Sequence, residues 1–509
     1  MTTDGGTAVH HEPPDRSAVD LRLAVPALAV WPSALVLTAA PVVASGLFGV
    51  VAALALAALL VRRPAIGRDR SARPRFGSPL LVCGTVLLLS LSCAARIAAR
   101  DAGRIAELAR SGSTVELVGT VRSSSALASG APGTWQVLLS VEALRPVGSS
   151  AAWSPSGAAV RLFVPDGPDA GTRVVLTARL SPSASGHDRA VAIGRVRGEI
   201  STRDRPDPLT SALASRRHAL TSLAADLPGD AGTLLPGVAV GDTSALGSLD
   251  AAMKTSGLAH LTAVSGAHFS MIGAVVLALS SWCGVPRRWR WLPVSAVGGC
   301  FVLLVGPGPT VVRAALMGGI GVLGIAVGRP SRSVPALLAA VLVLLIADPW
   351  LCADLGFLLS VVATGGIATL AAPLAGRWTS GRVPSALAVA LAVPVAAQAA
   401  CAPVILLIDP AVSLYAVPAN LVAAPAVAPA TVGGLLAALC AGWWPFGAEL
   451  CAAVAGTGCW WIGAVARCCA ALPGARVSWL AGWPGLLTLV VATGAGLALL
   501  LRCRRGMAP

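Results

Sequence analysis

The sequence predicts a polytopic α-helical membrane protein of about 12 transmembrane helices, with a small, all-β, OB-like extracytoplasmic domain inserted among them. Three observations lead to this prediction. The 509 residues are 55% hydrophobic and only 12% charged, with a mean hydropathy of +0.77, far outside the range of soluble globular proteins. Several uncharged runs of about 20 residues are long enough to cross a hydrocarbon core. One polar stretch, residues 101–208, instead contains short strand-like runs.

The first 98 residues divide into a polar tail and three apolar spans. Residues 1–23 are polar, and the apolar stretch that follows is too long for the core of a signal peptide, so no cleavable signal peptide is expected. Residues 24–61 are too long for one span and predict two helices that turn near Pro41. A third span follows, so residues 24–98 predict the N-terminal transmembrane helices.

The basic residues indicate the orientation of the chain. The net charge is +15, and all the basic residues except Lys254 and the histidines are arginines. If every apolar span crosses once, five arginine-bearing segments fall on one side, and cytoplasmic loops carry an excess of such residues. The pattern therefore predicts that both termini, including the tail 503–509, are cytoplasmic and that the β domain lies outside. The five segments are Arg62–Arg75, Arg287–Arg290, Arg329–Arg332, Arg377–Arg382 and Arg502–Arg505.

The polar stretch 101–208 predicts five strands separated by Gly, Pro and Ser clusters. A barrel of the OB type fits five short strands, because it closes most of its edges; a generic β-sandwich is the alternative. The predicted strands are Thr114–Arg122, Thr134–Val141, Ala158–Val164, Thr172–Leu180 and Val191–Glu199.

The second half of the chain predicts a short surface region followed by a long transmembrane domain. Residues 209–262 combine leucines at helical spacing with a Gly-rich stretch, which predicts an amphipathic or re-entrant segment. Residues 263–502 predict the remaining transmembrane domain. Its nine apolar spans are centred near residues 276, 299, 319, 341, 363, 395, 426, 456 and 490.

Several kinds of site are not predicted. The 12 cysteines form no CxxC pair and are absent from residues 101–230, so neither a disulfide framework nor a zinc site is expected. The chain has no GxxxxGK[ST] loop, no metal-spaced His/Cys/Asp set and no pair of carboxylates within one span. We therefore expect no cofactor, no metal and no enzyme.

Polar residues at membrane depth are the candidate functional residues, because each is costly in lipid. In the segment Ser256–His268, a continuous helix would place His260, Val264 and His268 on one face, with Ser265 beside His268. A nucleophile–base pair, a pore-lining or structural polar cluster, and a helix-end cap are the three interpretations. No acid at a suitable spacing orients either histidine.

Other polar residues occur further along the apolar region. Arg313 begins a span, where it either snorkels to the interface or meets a phosphate or an acidic partner, such as Asp354. Ser360, Gln398 and Asn420 lie in apolar spans, the last two beside prolines that favour kinked helices lining a cavity.

In order along the chain, these segments resemble the membrane region of the ComEC family of competence proteins. The segment Ser256–His268 is the most specific part of the resemblance. The matching residues are Leu235-Pro236-Gly237, Gly241-Asp242, Ser256-Gly257-Leu258, His260-Leu261, Ala263-Val264-Ser265-Gly266, His268, Gly306-Pro307, Arg313-Ala314, Gly328-Arg329, Asp348-Pro349, Leu355-Gly356-Phe357, Leu359-Ser360, Gln398, Pro403, Pro418 and Asn420.

The resemblance implies a channel that imports single-stranded DNA across the bacterial cytoplasmic membrane during natural transformation. The implied partners are single-stranded DNA, the lipid bilayer, other competence proteins (a DNA receptor and a cytoplasmic ATPase motor) and further copies of the chain. The family positions expected to line the DNA path are Asp242, His260, Ser265, His268, Arg313, Asp354, Ser360, Gln398 and Asn420.

The sequence departs from the family pattern at three points. Leu358 stands where members often carry glutamine, and only Gly186-His187-Asp188 stands where many carry a longer motif in the OB domain. No HxHxDH motif occurs, so the chain resembles a short form lacking the metallo-β-lactamase-like domain, and strand degradation is expected from another protein. The alternative functions are a polytopic enzyme or flippase acting on a lipid-linked substrate through Ser265 and His268, and a scaffold.

Overall fold

The structure, a computed structural model, describes residues 21–61, 77–126, 134–148, 152–165, 167–183, 187–202, 208–306, 309–326, 333–379 and 383–502. Several sequence predictions lie outside these residues. They concern the tails 1–20 and 503–509, the arginine segments Arg62–Arg75 and Arg329–Arg332, and the individual residues Gly186, Pro307, Gly328 and Arg382.

Three helices begin the described chain, as predicted: α1 (Ala24–Ala39), α2 (Val42–Val61) and α3 (Gly77–Asp101). Pro41 separates α1 from α2, because proline cannot donate a helical hydrogen bond and disfavours helical backbone in the residue before it. Buried apolar residues of α1 and α3 pack together with α11 (Ser333–Ala347) and the start of α12 (Leu355–Gly366) into one core.

The polar stretch folds as a small closed β-barrel. All five predicted strands are present, as β1 (Thr114–Ala126), β2 (Trp135–Pro146), β4 (Ala159–Val164), β5 (Arg173–Pro182) and β6 (Ala190–Thr202), with an additional short β3 (Ser154–Pro155). The strands pair in the order β1-β5-β6-β4-β2, and β2 pairs with β1 to close the barrel. Among the strand pairs of the described residues, only β4–β6 is parallel. The short helix α4 (Ile105–Arg110) contributes Ile105, Leu108 and Ala109 to the barrel core.

Three short helices follow the barrel: α5 (Pro208–Ala225), α6 (Asp230–Val240) and α7 (Ser248–Thr255). Every residue of α6 from Leu234 to Val240 is buried, although its 11 residues are too short to span a membrane. At its end Gly241 adopts the left-handed conformation (φ +79°) that turns the chain out of the helix.

Each of the nine predicted apolar spans contains a helix. These are α8 (Gly266–Trp282), α9 (Trp291–Val305), α10 (Pro309–Ala326), α11, α12 with α13 (Ala372–Thr379), α14 (Ser385–Leu406), α15 (Ala416–Cys440), α16 (Pro445–Ala471) and α17 (Gly482–Arg502). A π-helical turn, Ile367–Ala371, joins α12 to α13. Two short strands, β7 (Ala411–Ser413) and β8 (Arg476–Ser478), pair the connection after α14 with that after α16.

The predicted count of about 12 membrane-crossing helices is not confirmed. Among the described residues, seven helices are long and apolar enough to cross a membrane, and four more apolar helices are shorter. Hydropathy identifies an apolar run but not where the chain turns within it. For example, Gly306, with φ +96°, ends α9 after 15 residues.

Two hydrogen bonds are also incompatible with a pattern in which every apolar span crosses the membrane once. Neighbouring arginines of α5 reach two helix ends: Arg217 donates to the Leu304 carbonyl (3.4 Å), and Arg216 donates to the Leu439 carbonyl (3.1 Å). Single crossings by every span from α9 to α15 would put these two ends on opposite sides of the membrane. Two adjacent side chains cannot bridge a core of about 30 Å, so the C-terminal ends of α9 and α15 lie at similar depth.

Candidate functional site

The pair Ser265–His268 begins α8. His268 is 2% exposed, and its Nε2 lies 3.0 Å from the Val238 carbonyl oxygen. Because a carbonyl only accepts, Nε2 carries the ring proton, and Nδ1 accepts from the Ser265 backbone N–H at 3.0 Å. Ser265 Oγ lies 3.1 Å from the same Nδ1. The two residues form a capping box in which histidine takes the usual place of Glu or Gln.

The bond from His268 to Val238 joins α8 to the end of α6. Gly241, which directly follows α6, makes this close approach feasible, because a Cβ there would lie only 3.2 Å from Val264. Asp242 follows, and its Oδ1 accepts from the Ser244 backbone N–H at 3.0 Å. Asp242 thus shapes the turn after α6.

A third contact joins this region to α15. Gly257 has φ +74°, and a Cβ there would lie 2.6 Å from that of Ala416. The Gly257 carbonyl lies 3.2 Å from His260 Nδ1 and 3.5 Å from Asn420 Nδ2. Asn420 also donates to the Ala416 carbonyl (2.8 Å). His260 is an exposed residue, whereas Ser256 is fully buried.

The interpretation of Ser256–His268 as one helix is wrong. Helix α7 ends at Thr255, a 3₁₀ turn covers Ala259–Leu261, and Ser265 has extended backbone. His260 and His268 therefore do not share a helical face. They lie at opposite ends of a bend that packs between α6 and α15, because Gly257 allows a backbone conformation that a helix lacks.

The second polar group surrounds Arg313 on α10. Arg313 is 4% exposed. It donates through Nη1 to Asp354 Oδ1 (3.4 Å) and through Nη2 to the Gly356 carbonyl (3.0 Å), and its guanidinium lies 5.7 Å from the Phe357 ring centroid. Of the two sequence interpretations, the acidic partner is the one seen, while the Arg313 Nε is buried without a partner among the described residues.

Asp354 holds two elements at once. Its Oδ1 accepts from the Phe357 backbone N–H (2.5 Å), which caps α12, and also from Arg313. Its side chain is 41% exposed, so water reaches the carboxylate. Phe357, in turn, stacks on Trp31 of α1 with ring centroids 5.0 Å apart. The cluster therefore ties α10, α12 and α1 together.

Ser360 and Gln398 lie on α12 and α14, which pack against each other antiparallel. Cys401 donates to the Leu359 carbonyl (3.8 Å), and a Cβ on Gly366 would lie 2.5 Å from that of Ala400. Ser360 and Gln398 are both half-buried. Within the part of the chain that the structure describes, neither side chain has a hydrogen-bond partner.

The structure thus sorts the nine predicted positions into two groups. Asp242, His260, Ser265, His268 and Asn420 lie where α6, α8 and α15 meet. In the second group, Arg313 and Asp354 lie where α10 meets α12, and Ser360 and Gln398 belong to α12 and α14, two helices that pack against each other. Among the described residues, no cluster of three or more His, Cys, Asp or Glu side chains is arranged to hold a metal ion.

Sequence reasoning did not single out two ion pairs. Arg467 of α16 binds Asp230 at the start of α6 through two nitrogens. Arg189, just before β6, binds Asp348 at the end of α11 and thereby joins the barrel to the helices. Burial, followed by the charges of Arg96 and Arg122, lowers the pKa of Arg189 below its ordinary value. Asp230 and Asp348 are isolated acids at the borders of apolar runs, which is the only sequence signal.

Comparison with known proteins places the chain in a family. The chain is 26% identical over 229 residues to ComE operon protein 3 of Bacillus subtilis (strain 168), across 44% of this chain and 29% of that protein. The chain thus spans less than a third of the length of this curated relative. No solved structure matches it. The family model described as Competence protein matches residues 239–505, more than half of the chain and all nine of the positions above. The chain therefore belongs to the Competence protein family.

Proposed function

We propose that this chain forms a channel that admits single-stranded DNA across the bacterial cytoplasmic membrane during natural transformation. Membership of the Competence protein family supports a role in competence. The observation that carries the channel proposal is the group of polar side chains on α10, α12 and α14. Gln398 and Ser360 are half-buried without partners in the described chain, and Asp354 is 41% exposed.

Such groups are costly against lipid and belong beside water or a polar cargo. A DNA backbone crossing a bilayer needs a polar, partly cationic path, and Arg313 supplies a fixed positive charge beside Asp354. The DNA would contact the accessible edge of this cluster rather than replace Asp354. No step of this transport requires bond making or breaking by the chain, so we propose a channel and not an enzyme.

We further propose that the barrel is OB-like and extracytoplasmic, with both termini cytoplasmic. Its closed order β1-β2-β4-β6-β5, with one parallel pair between β4 and β6, supports the OB assignment. The arginine segments support the orientation. As partners we propose single-stranded DNA, a DNA receptor that delivers it and a cytoplasmic ATPase motor that pulls it.

Transformation frequency tests the function directly. Deleting the gene in a competent host should abolish the uptake of a marker-bearing DNA fragment, and the intact gene should restore it. Unchanged transformation in the deletion strain would overturn the proposal. Arg288→Ala, which removes an exposed loop charge, serves as the matched control and should transform normally.

The Arg313 cluster tests the path. We expect Arg313→Ala to abolish DNA entry, but it also removes the bonds of Arg313 to Asp354 and to the Gly356 carbonyl. The double variant Arg313→Met/Asp354→Asn removes both charges, retains a side-chain oxygen that can cap α12, and should leave normal amounts of protein in the membrane. The single variant Asp354→Asn is its control. If the double variant transforms normally, Arg313 acts only in folding; if it is present but inactive while Asp354→Asn transforms, the Arg313 charge serves the DNA.

The geometry of Ser265 and His268 gives the enzyme alternative a specific test. Their 3.1 Å separation is within the reach that general-base activation needs, although both ring nitrogens of His268 already have partners. A serine-directed probe should not label the protein. The enzyme alternative would be favoured if the probe labelled the wild type, and if Ser265→Ala eliminated both the labelling and the function.

A further inference from the structure

The outer face of the barrel carries a row of arginines in register on adjacent strands. Arg195 of β6 lies directly opposite Arg179 of β5, and Arg197 lies opposite Thr177 in the next outward row. All three arginines are exposed. Their neighbours Gly194 and Ala178 are buried, as expected for alternating strands. On the other side of β6, Phe163 of β4 pairs with Arg195, so one row runs Phe163–Arg195–Arg179.

Unlike three other arginines of the barrel strands, these arginines lack acidic partners. Arg145 binds Glu116, Arg161 binds Asp188 and Arg173 binds Glu142. By contrast, Arg195 and Arg197 have no acid within ion-pair distance among the described residues, and Arg179 donates only to the Gly112 carbonyl (3.2 Å). Between Arg197 and Glu199 lies Gly198, with φ +81°, where the pairing register of β6 with β5 shifts.

Like charges directly opposite each other destabilise a sheet, so a bound anion would relieve their repulsion. Arg195 and Arg179 lie on strands about 4.8 Å apart, and Arg195 and Arg197 lie about 6.6 Å apart along one strand. The three arginines therefore form an L-shaped group of cations with Arg195 at its corner. We propose that the stripe formed by Arg179, Arg195 and Arg197, with Phe163 beside it, binds the phosphate backbone of single-stranded DNA outside the membrane.

The proposal rests on the proposed function for the identity of the polyanion. Phe163 favours a nucleic acid over a lipid surface, because a half-buried ring beside cations offers a base a stacking surface. The stripe also lies mainly on β5 and β6 and not on the face built from β2 and β4, the strands that correspond to the usual oligonucleotide-binding face of OB folds.

The test measures binding of a fluorescent oligothymidine to the full chain in phosphatidylcholine nanodiscs, as a function of salt. The variant Arg179→Gln/Arg195→Gln/Arg197→Gln should lose on the order of 10-fold in affinity at low salt, and its salt slope should flatten by about 2, because each phosphate contact contributes roughly 0.7. The control Arg104→Gln/Arg110→Gln/Arg122→Gln removes the same charge from exposed positions elsewhere on this domain and should bind as the wild type does.

Two results would overturn the proposal. One is equal affinity and equal salt slope in the wild type and the stripe variant. The other combines two measurements: the wild type and the stripe variant bind DNA equally, and phosphatidylglycerol nanodiscs raise the melting temperature of the wild type but not that of the stripe variant. That result would assign the stripe to lipid headgroups. Either result leaves the channel proposal standing, because the gene deletion and the Arg313 variants test that proposal independently.

Discussion

At the scale of single residues, several polar groups of the candidate site each make two contacts. Asp354 Oδ1 caps α12 and binds Arg313. The Gly257 carbonyl faces both His260 and Asn420, and the His268 ring joins its own helix end to Val238 of α6. Substitution of one such residue therefore affects two elements together, so the Ser256–His268 bend is expected to be sensitive to small changes.

Gly257→Ala tests this sensitivity. The backbone φ of +74° and the 2.6 Å approach to the Ala416 Cβ both oppose a side chain, so the free energy of unfolding should fall by about 2 kcal/mol or more. Gly284→Ala is the matched control, because Gly284 has φ +72° and open space around it. Its loss should be about 1 kcal/mol, from backbone strain alone.

Thermal or denaturant unfolding of the detergent-solubilised chain provides the measurement. Equal losses in the two variants would mean that Ala416 yields easily, and the close packing of the bend on α15 would then carry little of the stability.

At the scale of elements, the β-barrel has a hydrophobic core of its own. Its buried residues come from the strands and from α4, and they form a cluster separate from the helical cores. The closed strand order leaves few unpaired strand edges. In addition, no cysteine lies between residues 101 and 230, so no disulfide contributes to this domain.

We therefore expect residues 101–208 to fold as an isolated domain. The far-UV circular dichroism spectrum should be dominated by β-structure, and the unfolding transition should be cooperative and unchanged by reductant or chelator. Leu139→Ala, in the fully buried barrel core, should lower the free energy of unfolding by about 2–5 kcal/mol, whereas exposed Arg122→Ala should change it little. A spectrum dominated by helix would contradict this expectation.

At the scale of the whole molecule, polar contacts attach the barrel to the helices at two places. His187 Nδ1 lies 3.0 Å from Thr38 Oγ1 at the end of α1, close to the Arg189–Asp348 pair. On the second side, Asp169 lies 3.5 Å from Arg217 of α5. The ends of α1 and α11 therefore lie on the barrel side of the molecule, which gives the orientation of the barrel relative to those helices.

Reporter fusions measure the orientation in the membrane. A fusion after Ser201 should report the outside, and a fusion at the C-terminus should report the cytoplasm, because we expect the arginine segments to be retained in the cytoplasm. A fusion in the Arg287–Arg290 loop serves as a cytoplasmic control. Reports of the same side for Ser201 and the C-terminus would contradict this topology. In that case the span that does not cross the membrane once should lie between α9 and α15, because the C-terminal ends of these two helices are neighbours.

The sequence alone determined the composition of the fold and the chemical character of the candidate site. Apolar runs located the helices found in the three N-terminal and nine later spans, although not how many of them cross a membrane, and alternation located five strands, because both patterns reflect local periodicity that burial imposes on neighbouring residues. Asp354 was also named as one candidate partner of Arg313, since charges are rare enough in apolar sequence for a pairing to be considered.

Only the tertiary structure decided which distant residues meet. It broke Ser256–His268 at Gly257, where packing against Ala416 and a left-handed backbone override helical spacing. It also paired Arg189 with Asp348, and it placed Arg179, Arg195 and Arg197 on one outer face, although acids nearly balance the arginines of this domain along the sequence. The physical reason is common to all three cases: strand register and helix packing join residues far apart in the chain, and local periodicity carries no information about such contacts.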